Sequence, residues 1–155
     1  MVERDGETVG IVALDVCGFY RPVAEQVRQC AAQMVGLAPE RLLVAATHTH
    51  AGPAFLGILG EPGDEALHSL IARIAAGAVR MAFDALPPAR IAWGSAQAEI
   101  PANNRRLRTP DGVTHMNWEG LDAAQVAEVL GPVDPEVLVL RVDDLEGNAI
   151  ASLLN

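Results

Sequence analysis

The sequence contains no lysine: all 11 basic residues among its 155 are arginine. Schiff-base chemistry, a Ser–Lys dyad and a phosphate loop built on lysine are therefore excluded. Positive charge is scarce as well, because 20 acidic residues leave a formal charge of −9. A general nucleic-acid binder needs a basic face for its phosphate contacts, so no nucleic-acid partner is expected. Only two cysteines occur, Cys17 and Cys30, too few for a disulfide framework. Cys17 follows a strand-like segment and Cys30 falls in a helical one, so both read as small core residues. No apolar run reaches the roughly 18 residues of a membrane span. The longest candidate, residues 67–83, is interrupted by Arg73 and Arg80. The first ten residues hold no apolar signal core, which is compatible with a cytoplasmic or a secreted parent protein.

Half of the residues are hydrophobic, enough for a substantial core. "TVGIVALD" (residues 8–15) is β-branched and apolar and predicts a buried strand entered from the turn "RDGE". A helix follows, with Pro22 in its first turn, an apolar stripe of Val23, Val27, Cys30 and Met34, and Gly36 at its end. "ERLLVAA" is a second strand, apolar without alternation, a pattern typical of strands covered on both faces. Together these make a βαβ unit. Beyond a glycine-rich loop, "FLGILGEPG", a long helix spans about residues 64–86. Leu67, Leu70, Ile71, Ile74, Ala78 and Met81 form its apolar face, and Pro87-Pro88 stops it. "ARIAWGSAQAEI" predicts a strand. Residues 101–120 read as an irregular excursion with a turn at "PDG", and "LDAAQVAEVLG" as one short helix. The last segment, "PEVLVLRVDDLEGNAIASLLN", reads as a hairpin whose second strand runs uncapped to the end, as in a truncated chain. The expected fold class is α/β, a mixed β-sheet with covering helices, in an incomplete part of a larger catalytic domain.

"ATHTHAGP" (residues 46–53) follows the second strand directly. On an extended backbone, residues two apart share a side. His48 and His50 are therefore expected to face one cavity at the carboxyl end of the strand, where open α/β sheets place ligands. Imidazole is the commonest zinc ligand, and catalytic zinc takes about three protein ligands plus water, so two histidines are only part of such a centre. The metallo-β-lactamase pattern fails because Gly52 stands where its aspartate belongs. Amidohydrolase barrels pair H-x-H with a bridging lysine that this chain lacks. H-E-x-x-H, H-x-x-E-H and G-x-S-x-G are absent. His68, inside the long helix, reads as a satisfied surface or groove residue; His115, near Trp118, is a weaker site candidate. "NNRR" (residues 103–106) offers amides and guanidiniums for recognising a carboxylate, a phosphate or a polar head group.

The histidine segment resembles the "THTHSGP" signature of the neutral/alkaline, non-lysosomal ceramidases. "GETVGIVALDVCGF" and "LAPERLLVAATHTHAGP" resemble that family's first strand and its approach to the zinc loop. "NNRR" resembles its Asn-Arg segment, and "GPVDPEVLVLRVDDLEGNAIASLLN" its Asp-Pro-Glu-Val hairpin. The resemblance covers residues 1–155 as one fragment of the catalytic domain. It implies a zinc-dependent amide hydrolase cleaving the N-acyl bond of ceramide or a related N-acyl lipid. Substrate access from a membrane surface in the full-length protein would be in keeping with it. It maps a Zn2+ ligand onto His48, an active-site acid–base or polarising role onto His50, and substrate contact onto Arg105 or its neighbour Arg106. It also implies an opening strand before Met1 and a second zinc histidine just past Asn155. Ala51 departs from the family's serine, and "NNRR" is closer to shorter bacterial ceramidase-like proteins. Two other readings stay open: a non-catalytic binding or assembly module of the same fold, and an H-x-H metal hydrolase with a non-lipid substrate.

Overall fold

A computed structural model describes residues 1–53, 55–57, 64–98, 105–132 and 134–155. Most of the glycine-rich loop, and Asn103 and Asn104 of "NNRR", lie outside these residues. The chain forms two compact units, Met1–Pro87 and Pro88–Asn155, each with its own sheets.

In the first unit β1 (Val2–Arg4) and β2 (Glu7–Leu14) form a hairpin. Asp5 and Gly6 turn it with φ of 55° and 79°, the left-handed pair that suits the twist of a two-residue hairpin. Helix α1 (Arg21–Val35) connects β2 to β3 (Leu42–Ala46), which pairs parallel to β2 from Gly10↔Leu42 to Leu14↔Ala46. Pro22 sits in the first turn of α1, and Gly36 closes its end at φ 70° with its N–H on the Ala32 carbonyl. The predicted βαβ unit is therefore present, in a mixed sheet ordered β1-β2-β3.

The packing differs from the predicted stripes on α1, where Met34 is 41% exposed, and in two further places. Helix α2 (Glu65–Asp84) is capped by the Asp64 carboxylate, which accepts from Ala66 N–H at 2.9 Å. It buries Ala72, Ala75, Ala76 and Val79, with Leu67 and Ile71 at the margin of the core. Leu70, Ile74 and Met81 are exposed, Ile74 at 62% and Met81 at 74%. Small residues on this face and on α1 (Ala24, Ala31) let the two helices pack closely, and that close approach fixes which side of α2 turns inward. By length and composition α2 could cross a bilayer, at a mean hydropathy of 1.3, yet its alanine side is a core face. The parallel strands also bury one face, through Val12, Leu14, Leu42 and Val44. Val9, Ile11 and Leu43 on the other face stay about half exposed. Among the described residues the sheet is thus covered on one side, where the apolar runs predicted two.

In the second unit β4 (Arg90–Gln97), β8 (Glu136–Asp143) and β9 (Ala149–Leu154) form an antiparallel sheet ordered β4-β8-β9. The predicted final hairpin is present. Its turn is held by Asp144, whose carboxylate accepts from Asn148 N–H at 2.8 Å and from the Asn148 amide at 2.9 Å. A second small sheet, ordered β6-β5-β7, joins β5 (Arg106–Arg108), β6 (Thr114–Met116) and β7 (Glu128–Leu130). The segment read as irregular is therefore partly sheet. The expected short helix is one 3-10 turn, Ala123–Gln125, that feeds β7. A capping box between Asp122 and Gln125 explains the helix-like sequence, because it nucleates a turn that pairing with β5 then cuts short.

Candidate metal centre

The two loops after the parallel strands β2 and β3 build the site. Thr47 N–H still donates to the Leu14 carbonyl at 3.0 Å, so the histidine loop leaves the sheet alongside the end of β2. His48 then adopts φ 61°, a left-handed conformation uncommon for a non-glycine residue and enriched at functional sites. The extended-strand reason for expecting the two histidines on one side therefore does not apply, since β3 ends at Ala46. The rings meet nonetheless, because the left-handed step folds the loop back. Their centroids are 4.8 Å apart at 84°.

His48 Nδ1 lies 2.6 Å from the Cys17 carbonyl oxygen. A carbonyl only accepts, so Nδ1 carries the proton and Nε2 presents its lone pair. That Nε2 lies 3.3 Å from Nε2 of His50. Two nitrogens bound to a tetrahedral zinc at about 2.0–2.1 Å stand about 3.3–3.4 Å apart, so the spacing fits one shared ion. The backbone partner on Nδ1 is the orienting contact that metal-bound histidines require. The Cys17 thiol is also present, its Sγ 3.7 Å from His48 Nδ1, and one donor atom from each of Cys17, His48 and His50 falls within 4.8 Å of the others. Thiolate and imidazole are the donors that suit zinc. Cys17, expected to be a core residue, is half-buried at the site. Nothing local in the sequence marks it; its position after the neighbouring parallel strand was the available signal.

Gly52 brings the loop back to β2. A Cβ at this position would lie 2.9 Å from the Asp15 carbonyl oxygen, which only glycine avoids. Beside the loop, an apolar groove of about 250 Å3 runs between the end of β2 and α2, with Val12, Val16, Pro53, Ile71 and Ile74 among its walls.

The other histidines are engaged elsewhere. His68 Nε2 donates to the Phe55 carbonyl at 3.2 Å, with its ring 4.6 Å from that of Phe55, as a satisfied groove residue would. In the second unit His115 Nδ1 pairs with Glu119 at 2.8 Å. The Met116 N–H and His115 together hold the Glu119 carboxyl below the usual carboxylate range. Arg105 lies with its guanidinium 5.3 Å from the Trp118 ring centroid, a cation–π contact. Arg106 opens β5, opposite Met116 and Leu130.

No protein-family model matches the chain, and no curated protein matches it in sequence. Solved structures do match in fold. The crystal structure of neutral ceramidase from Pseudomonas aeruginosa aligns over 93% of this chain with a TM-score of 0.53 at 21% identity. A structure described as ceramidase complexed with C2 aligns over 93% with a TM-score of 0.57 at 22% identity. The fold matches part of a ceramidase domain. This chain spans 22% of the length of each of those proteins, and at such identities the likeness is one of fold.

Proposed function

We propose that this chain carries the histidine-loop part of a zinc-dependent amide hydrolase of the ceramidase type, which cleaves the N-acyl bond of ceramide or a related N-acyl lipid. The observation that carries the reading is the His48–His50 pair, two Nε2 atoms 3.3 Å apart with the Nδ1 of His48 tied to the Cys17 carbonyl. The fold likeness to ceramidases supports the same class. The chemistry that a zinc ion supplies when bound is Lewis-acid polarisation of the scissile carbonyl and acidification of a water.

His48 holds the ion through Nε2, oriented by its backbone partner. His50, with its Nε2 3.3 Å from that of His48, stands beside the ion and acts on the reacting group by acid–base or polarising chemistry. Arg105 and Arg106 bind the polar part of the substrate, for which the planar guanidinium fork is suited. The apolar groove beside the loop suits a hydrocarbon chain. The remaining ligands come from the longer protein of which this chain would be a part, consistent with its spanning 22% of the matched ceramidases. Hydrolysis of short- and long-chain N-acylsphingosines by the full-length protein, with and without chelator, tests the reading. Chelator-sensitive release of fatty acid is the expected result. Release that survives complete metal removal overturns the assignment.

A further inference from the structure

We infer that Cys17 is itself a ligand of the metal held at the His48 loop, so that the centre contains sulfur. The inference rests on the metal-centre reading above and extends it to a residue outside the histidine motif. The Cys17 thiol belongs to a cluster in which one donor atom from each of Cys17, His48 and His50 lies within 4.8 Å of the others, close to the span that bonds of about 2.0–2.1 Å to nitrogen and 2.3 Å to sulfur require. Bringing the sulfur to bonding distance takes a change of χ1 in one short side chain. Cys17 stands in the loop after β2, the strand paired with the one that delivers the histidines, and its own carbonyl already anchors the His48 ring. The residue thus meets the His48 ring twice, its carbonyl accepting from Nδ1 and its thiol lying 3.7 Å from the same nitrogen. Cys30 provides the contrast: it lies in α1, packed against the core, and takes no part. On binding, the Cys17 S–H bond breaks, its proton passes to solvent, and the sulfur lone pair forms the bond to the ion.

The test uses the full-length protein in a Cys30→Ser background, titrated with cobalt(II) as a spectroscopic substitute for zinc. The expected result is a near-ultraviolet thiolate-to-cobalt charge-transfer band. Cys17→Ser should abolish the band and weaken cobalt binding at least about tenfold. An unchanged spectrum and affinity in Cys17→Ser, with binding still lost in His48→Ala, overturns the sulfur ligand alone. Unchanged binding in His48→Ala overturns the metal-centre reading, and a wild-type protein that takes up no cobalt overturns both. A measurement that leaves Cys17 intact guards against misfolding of the variant: saturating zinc should slow maleimide labelling of Cys17 at least about tenfold. Labelling at the same rate with and without zinc contradicts the proposal.

Discussion

Gly52→Ala is the smallest change that should disturb the candidate centre without touching a donor atom. The new Cβ would stand 2.9 Å from the Asp15 carbonyl oxygen, about half an ångström inside ordinary contact. Asp15 has little freedom to yield. It is flanked by Leu14 and Val16, both nearly fully buried, and the Leu14 carbonyl accepts from Val16 and Thr47 at 2.9 and 3.0 Å. The histidine loop must move instead, and His50 is two residues from the substitution. Overpacking of this kind costs about 1–3 kcal/mol, and in a unit of this size each kcal/mol lowers the thermal midpoint by about 4–8 °C. The spacing of the two Nε2 atoms should open with the loop, so zinc affinity should fall about 10–100-fold, as when orienting contacts are lost. Thermal unfolding read by circular dichroism and zinc titration against a competing chelator measure the two effects. A variant with wild-type midpoint and wild-type affinity would refute the reasoning about both the close approach and the loop.

Other predictions address separate links in the account. Leu42→Ala, at a position 1% exposed beneath the helices, should cost about 2–5 kcal/mol in urea unfolding. Met81→Ala, on the exposed side of α2, should stay within about 0.5 kcal/mol; the reverse ranking would show that α2 buries its large residues after all. Hydrogen bonds from the Asn148 side chain and backbone hold the Asp144 carboxyl below the ordinary aspartate value. A depressed native pKa contributes stability above the unfolded value that is lost as pH falls through the native one. An NMR titration should therefore place the Asp144 midpoint below that of an unstructured aspartate, with the β8–β9 turn amides moving together with it. A midpoint at or above the unstructured value contradicts the turn geometry. If the proposed hydrolase reading holds, Arg105→Ala and Arg106→Ala should raise KM more than they lower kcat, since binding contacts act on ground and transition states alike. Loss confined to kcat would place both residues in the chemistry instead.

The βαβ unit was legible in the sequence because its signals are local. The β-branched run of β2, Pro22 at the start of α1 and Gly36 at its end each act within a turn or two. The buried side of α2 was not legible, because periodicity ranks residues by size and the close packing of α1 and α2 selects alanines. The sheet of β5, β6 and β7 was missed for the opposite reason. Each strand is three residues long, and the pairing of Arg106 with both Met116 and Leu130 is non-local. At the candidate site, the histidine spacing drew attention to the right loop, but the left-handed conformation of His48 and the approach of Cys17 depend on how two separate loops meet at the end of the sheet. Near the histidines, the close approach of Gly52 to Asp15 is one local feature of that meeting.

The central claim is that the His48 loop holds a metal ion, and metal analysis of the purified full-length protein tests it most directly. After dialysis against metal-free buffer the account predicts about one zinc per chain in the wild type and essentially none in His48→Ala, with both proteins folded by circular dichroism. Equal zinc content in the two would contradict it.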